Sequence, residues 1–154
     1  REHVMLVDLA RHELYGLSRS GSVHVSDIFT LEEYPNLYHL VSGVRGKLKS
    51  GIDAVDSLLI TLPAGTLSGS PKLEAMKMIE RYERSRRGYY GGAIGYLSFN
   101  GSCNTGITIR SVHVKDNASI LRAGGGVVAL STPDDELDES KLKMEKSLKI
   151  VEER

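Results

Sequence analysis

The chain has 154 residues, of which 40% are apolar and 26% charged, enough length and enough apolar content for one globular domain with a real core. Twenty basic residues balance twenty acidic ones, which excludes a global field that would steer the protein to nucleic acid or to an anionic membrane. A lone cysteine, Cys103, excludes an internal disulfide framework and fits a reducing cytoplasm, and no apolar run approaches the ~20 residues that span a bilayer.

The opening Arg1-Glu2-His3-Val4 has neither an initiator Met nor a signal-peptide pattern, so the expectation is a cut into a longer protein. Val4 to Leu17 is apolar at helical spacing, with Gly21 beyond its end. Val23-His24-Val25 and the stretch Leu37 to Leu48 read as strands, the second with a turn signal at Ser42-Gly43. Asp53 is placed to cap a helix to Leu62, with Ile52, Val55, Leu59 and Leu62 on one side and Pro63 as its stop. A loop follows, then Ser70-Pro71 as N-cap and first helical residue, and a helix with Ala75, Met78, Ile79 and Tyr82 on one stripe.

After Arg84 to Arg87 the period shifts toward strands. Ala93 to Phe99, Thr105 to Lys115 and Ser119 to Ala129 are the three candidates, joined by the turn signals Asn100-Gly101 and Asp116-Asn117. Asp134 to Arg154 reads as a charged amphipathic helix with Leu137, Met144, Leu148 and Val151 on one stripe. There are no repeats and no linker, so the reading is a single α+β unit over residues 1–154, an antiparallel sheet with packed helices.

Four features could carry chemistry. Glu136, Glu139 and Lys143 fall at i, i+3 and i+7, in one sector beside the apolar stripe of the last helix. Carboxylates there could hold a hard cation such as Mg²⁺; the same spacing also describes a solvated face with a Glu139–Lys143 pair. Arg110 falls in a strand apolar on both sides, which would bury it and demand an anionic partner, on a ligand or on the protein. Gly124-Gly125-Gly126 permits close backbone approach, a bulge, or amides aimed at an anion. His39, within a strand, is either structural or an acid–base group. Gly65 to Lys72 fails as a nucleotide loop because Ser70-Pro71 separates Gly69 from Lys72, and Cys103 lacks the neighbours of a nucleophile.

Seven segments in order resemble the chorismate-binding enzymes. They are Glu2-His3-Val4-Met5-Leu6-Val7-Asp8-Leu9-Ala10-Arg11, Tyr38-His39-Leu40-Val41-Ser42, Pro63-Ala64-Gly65-Thr66-Leu67-Ser68-Gly69-Ser70-Pro71-Lys72, Gly88-Tyr89-Tyr90-Gly91-Gly92-Ala93-Ile94-Gly95-Tyr96, Ile107-Thr108-Ile109-Arg110, Ala123-Gly124-Gly125-Gly126-Val127-Val128 and Glu136-x-x-Glu139-x-x-x-Lys143. Any one is weak; the ordered set is specific. The resemblance implies the C-terminal part of that fold, acting on chorismate with Mg²⁺.

It also implies roles: Glu2 and Glu139 as direct metal ligands, with Glu136 acting through water. Tyr90, Arg110 and the backbone of Gly124, Gly125 and Gly126 would clamp the enolpyruvyl carboxylate, with Lys143 nearby. Thr66 would line the pocket, and His39 would stand near the departing ring hydroxyl. Pro63-Ala64-Gly65-Thr66 leans toward the branch that makes anthranilate and pyruvate with ammonia from a glutamine amidotransferase partner. Members that make aminodeoxychorismate, isochorismate or salicylate share the motifs. Arg11-His12-Glu13 stands where the family usually has Arg-Asn-Asp, and Asn104 where it usually has Asp. A rival of another class is a noncatalytic module that associates with itself through exposed core.

Overall fold

The computed structural model describes residues 2–35 and 37–152, apart from the side chains of Glu2 and Leu37. The chain forms two compact units, Arg1–Thr66 with Leu97–Cys103, and Leu67–Tyr96 with Asn104–Arg154. No composition break marks the division.

In the first unit, helix α1 (Glu2–Leu17) packs against a hairpin of β1 (His24–Tyr34) and β2 (Leu37–Arg45), and against α2 (Ala54–Thr61). Leu17 is the one buried large apolar side chain among the described residues. It is held there by backbone: the Lys49 amide donates to the Leu17 carbonyl at 2.9 Å and the Arg19 amide to Lys47 at 2.7 Å. The expected turn at Ser42-Gly43 is instead continuous strand. Gly43 lies opposite Asp27 at a bulge in β1, where a Cβ would collide with Ser26 Oγ and Asp27 Oδ2. The glycine serves close approach rather than reversal. Across the bulge, the Phe29 amide donates to Ser42 Oγ at 3.0 Å, with Phe29 at φ 56°.

Helix α2 begins as expected. Asp53 Oδ1 accepts from the amides of Val55 (2.8 Å) and Asp56 (2.9 Å), and the Asp53 amide donates to Asp56 Oδ2. A short helix, α3 (Gly65–Ser68), occupies part of the predicted loop.

The second unit contains α4 (Lys72–Tyr82), most of the hairpin β3 (Ala93–Leu97) and β4 (Cys103–Ile107), the hairpin β5 (Val112–Lys115) and β6 (Ala118–Leu121), and α5 (Pro133–Glu152). Pro71 itself is the N-cap of α4, without a side-chain cap from Ser70. Asp116 and Asn117 both take positive φ, 50° and 60°, matching the right-handed twist of the two strands they join. The predicted strand Thr105 to Lys115 is broken between β4 and β5. The third predicted strand ends at Leu121, and residues 122–129 run without a ladder partner. The architecture is α+β, and among the described residues its antiparallel pairing is divided into three two-stranded ribbons.

The expected apolar stripes are only partly inward. In α2 the half-buried residues are Ala54, Ser57, Leu58 and Thr61, while Leu59 is 68% exposed. In α4 Ala75 and Ile79 are half-buried, but Tyr82 is 70% exposed. In α5 the half-buried residues are Glu136, Ser140, Lys143, Met144, Ser147 and Val151, with Leu137 and Leu148 turned out. Exposed apolar surface on this scale drives association. An isolated 154-residue chain should therefore sediment as a dimer or larger species and bind an apolar dye. A monodisperse monomer that leaves the dye dark would contradict this.

Candidate active site

The second unit gathers most of the predicted site. Helix α5 presents Glu136 and Lys143 to the segment after β6, so Gly124 and Gly125 run against its first turns. A Cβ on Gly125 would collide with Glu136 Oε2 and lie 3.8 Å from Glu139 Oε2. Glu136 cannot easily retreat, because its Oε1 accepts from Ser131 Oγ at 2.5 Å. Its Oε2 is buried and has no hydrogen-bond partner among the described residues. An anionic oxygen left unpaired is costly, and a cation would satisfy it. Gly126 has nothing within 4 Å of its added Cβ, and Gly124 meets only Tyr90 Oη, at 3.6 Å. Of the three glycines, Gly125 alone is demanded by its neighbours.

Lys143 ties these parts together. Its Nζ pairs with Glu139 Oε1 and donates to the Gly124 carbonyl at 2.9 Å. Its own carbonyl accepts from Arg110 Nη1 at 2.9 Å. Arg110 is therefore not the buried strand residue that alternation predicts. It sits exposed between β4 and β5, at φ 54°, where the ladder breaks. A carbonyl takes one edge of its fork, and the remaining donors are open to an anion.

Tyr90 is positioned through a charge pair that the sequence reading did not single out. Glu83, just past α4, accepts from Arg87 Nε at 3.0 Å and Nη2 at 2.6 Å, and Arg87 Nη1 donates to the Leu67 carbonyl at 2.6 Å. The Arg87 guanidinium lies 5.7 Å from the Tyr90 ring centroid, and Arg122 Nη1 approaches Glu83 Oε2 at 3.9 Å. Hydrogen bonding from Arg87 holds the Glu83 carboxyl below its ordinary range. A cavity of about 550 Å³ in this unit is walled by Arg86, Tyr89, Tyr90, Ile94, His113 and Arg122 among others, and neither Gly124–Gly126 nor the α5 carboxylates line it.

The first unit holds the other predicted residues. His39 is exposed on β2 opposite Glu32, its ring edge-on to Tyr34 at 5.5 Å, and Thr66 is exposed on α3. Glu2 opens α1, but its side chain lies outside the described residues. His3 beside it bonds through Nε2 to Ser42 Oγ at 2.8 Å, which fixes the first turn of α1 on the strand that carries His39. Glu13, at one of the positions departing from the family pattern, accepts from the Gly65 amide at 3.0 Å and so anchors the loop that carries Thr66. Neither His3 nor Glu13 has a spacing signal that could have revealed these contacts. Among the described residues no three His, Cys, Asp or Glu side chains cluster as a metal site, and no helix is long and apolar enough to cross a membrane.

The chain belongs to the chorismate binding enzyme family, whose model it matches over residues 1–149. Its relatives include anthranilate synthase component 1 from Acetivibrio thermocellus, 45% identical over 99% of this chain and 31% of that protein. Another, from Pseudomonas aeruginosa, is 46% identical over 90% of this chain and 28% of that protein. The crystal structure of anthranilate synthase component I from Streptococcus pneumoniae superimposes with a TM-score of 0.87 at 42% identity, covering 92% of this chain and 33% of that one. A Bacillus anthracis structure described as a 2,3-dihydroxybenzoate-specific isochorismate synthase gives a TM-score of 0.83 at 29% identity, covering 97% and 40%. The chain thus spans about a third of the length of the curated relatives it matches.

Two outcomes follow for the complete protein. Gly125→Ala should lower stability by about 1–3 kcal/mol as the pinned Glu136 is displaced, whereas Gly126→Ala should be nearly neutral in thermal unfolding. Glu83→Gln should cost roughly 1 kcal/mol, allowing for solvent screening of a partly exposed pair. Because the folded Glu83 titrates below its ordinary value of 4.5, the wild-type advantage is full above that pH and disappears as the pH falls through the folded value. Denaturation curves of both proteins at pH 7 and pH 3 would check the sign.

Proposed function

We propose that the complete protein converts chorismate and ammonia to anthranilate, pyruvate and water in the cytoplasm, with Mg²⁺ as cofactor and a glutamine amidotransferase partner as ammonia source. The observation that carries the metal reading is the pair Glu136 and Glu139 closing on Gly125 with a buried, unpaired Glu136 Oε2. An all-oxygen donor set suits this hard cation, which tolerates retained water. Glu139 and Glu2 would ligate it directly and Glu136 through water. When bound, Mg²⁺ would act as a Lewis acid on a substrate carboxylate and spread charge as the ring hydroxyl departs as water.

The protein's own groups do the rest. Arg110 directs its free guanidinium edge to the enolpyruvyl carboxylate, the Gly124–Gly126 backbone and Tyr90 Oη flank it, and Lys143 adds positive charge. The family resemblance gives Thr66 a place at the substrate and His39 one near the departing ring oxygen, to which it would give a proton. The identities of 42–46% to anthranilate synthase component 1 proteins favour amination over other fates of chorismate. The second reading, hydroxylation to isochorismate, is favoured only by the Bacillus anthracis likeness at 29%. Holding the same dianion serves both reactions, so Arg110 does not discriminate between them. The 154 residues alone should not turn over, since the relatives devote about twice as much further chain to the whole enzyme.

The complete protein, given chorismate, Mg²⁺ and ammonium at alkaline pH, should release anthranilate and pyruvate in equal amounts. Alkaline conditions supply NH₃, the nucleophile, when no amidotransferase is present. Arg110→Lys should lower kcat/KM by about tenfold or more, because a point charge cannot reproduce the bidentate fork. His39→Ala should lower kcat more than it raises KM, since proton donation to the leaving oxygen develops in the transition state. Isochorismate, salicylate or aminodeoxychorismate in place of anthranilate would overturn the assignment while leaving the family intact.

A further inference from the structure

We infer that Lys143 is the resident counter-cation of the α5 carboxylates, and that a divalent cation reaching Glu139 must displace its ammonium group. The inference rests on the metal reading above. Three other helical pairs of this chain, Lys77–Glu74, Lys141–Asp138 and Lys149–Glu145, have lysine side chains 61–64% exposed. Lys143 is 25% exposed, although its partner Glu139 is 52% exposed. It is folded inward, not extended along the surface. There its Nζ meets both Glu139 Oε1 and the Gly124 carbonyl, and its backbone carbonyl is held by Arg110.

An ammonium and a divalent cation cannot share one carboxylate cheaply. At about 4 Å their repulsion weakens metal binding on the order of thirtyfold even at the dielectric of water, and less in salt. Lys143 therefore neutralises Glu139 and lowers the affinity of the acidic site for metal. Its second anchor gives the displaced group a place to go. The ammonium already rests on the Gly124 carbonyl, so letting go of Glu139 leaves a positive charge on the glycine segment. Cation entry at the carboxylates thus readies that segment for an anionic ligand.

Mn²⁺ binding to the complete protein, followed by the EPR signal of the free ion without substrate, tests this apart from turnover. Lys143→Met should bind Mn²⁺ about tenfold tighter than wild type at low salt, and Lys143→Gln should do likewise if the Met variant folds poorly. Lys143→Arg, which keeps the charge, should return affinity to near the wild-type value. Equal or weaker binding by both neutral variants would overturn the inference and leave the metal reading standing, as would an Arg variant as tight as Met. Mn²⁺ binding that is undetectable in wild type, or unchanged by Glu139→Gln, would instead sink the metal reading, and this inference with it.

Discussion

The missing side chain at Gly125 is the constraint on which the second unit's site depends. It lets an irregular backbone segment lie directly against the carboxylates of α5. Two acids and a chain of amides then share a volume that any Cβ would fill. Ser131 fixes one oxygen of Glu136, Lys143 bridges Glu139 to Gly124, and Arg110 closes the circuit by bonding the Lys143 carbonyl. The Lys143–Gly124 and Arg110–Lys143 contacts join elements separated in sequence. The charge arrangement is thus a property of the glycine–helix contact rather than of the helix alone.

A second feature is the reversal of ordinary amphipathicity. The half-buried face of α5 is mostly polar, and several of its leucines face outward. The same holds in α2, where Ser57 and Thr61 turn inward beside Leu58. Thr61 Oγ1 satisfies itself on the Ser57 carbonyl at 2.9 Å, so the inward polar group carries no unpaired hydrogen. A chain with this distribution has apolar surface in need of cover. Relatives about three times as long have further chain that could provide it.

The first unit shows how a departure from a family pattern can be absorbed. Glu13 stands where a shorter acid is usual, and its carboxylate still reaches the Gly65 amide. His3 and Ser42 perform a similar task at the other end of α1, where the bulge at Asp27 and the positive φ of Phe29 bring Ser42 within reach of both partners. These are positioning contacts, and they explain why α1, the histidine strand and the start of the Pro63–Lys72 loop form one compact body.

Local signals in the sequence determined a good deal. The Asp53 cap, the hairpin turns at Asn100-Gly101 and Asp116-Asn117, the extent of α1 and the α+β class are encoded within a few residues, because caps and tight turns are short-range hydrogen-bond and φ requirements. Membership of the chorismate binding enzymes was legible for a related reason: seven ordered segments preserve residue types that chemistry limits. Tertiary structure alone decided the exposure of Arg110, the role of Gly43 in a bulge, the length of β1 and which face of each helix turned inward. Periodicity tells which side chains share a face, but not what lies opposite that face. Only the packing of distant segments could break the strand before Arg110, bring Glu136 against Gly125 and turn Lys143 inward onto Gly124.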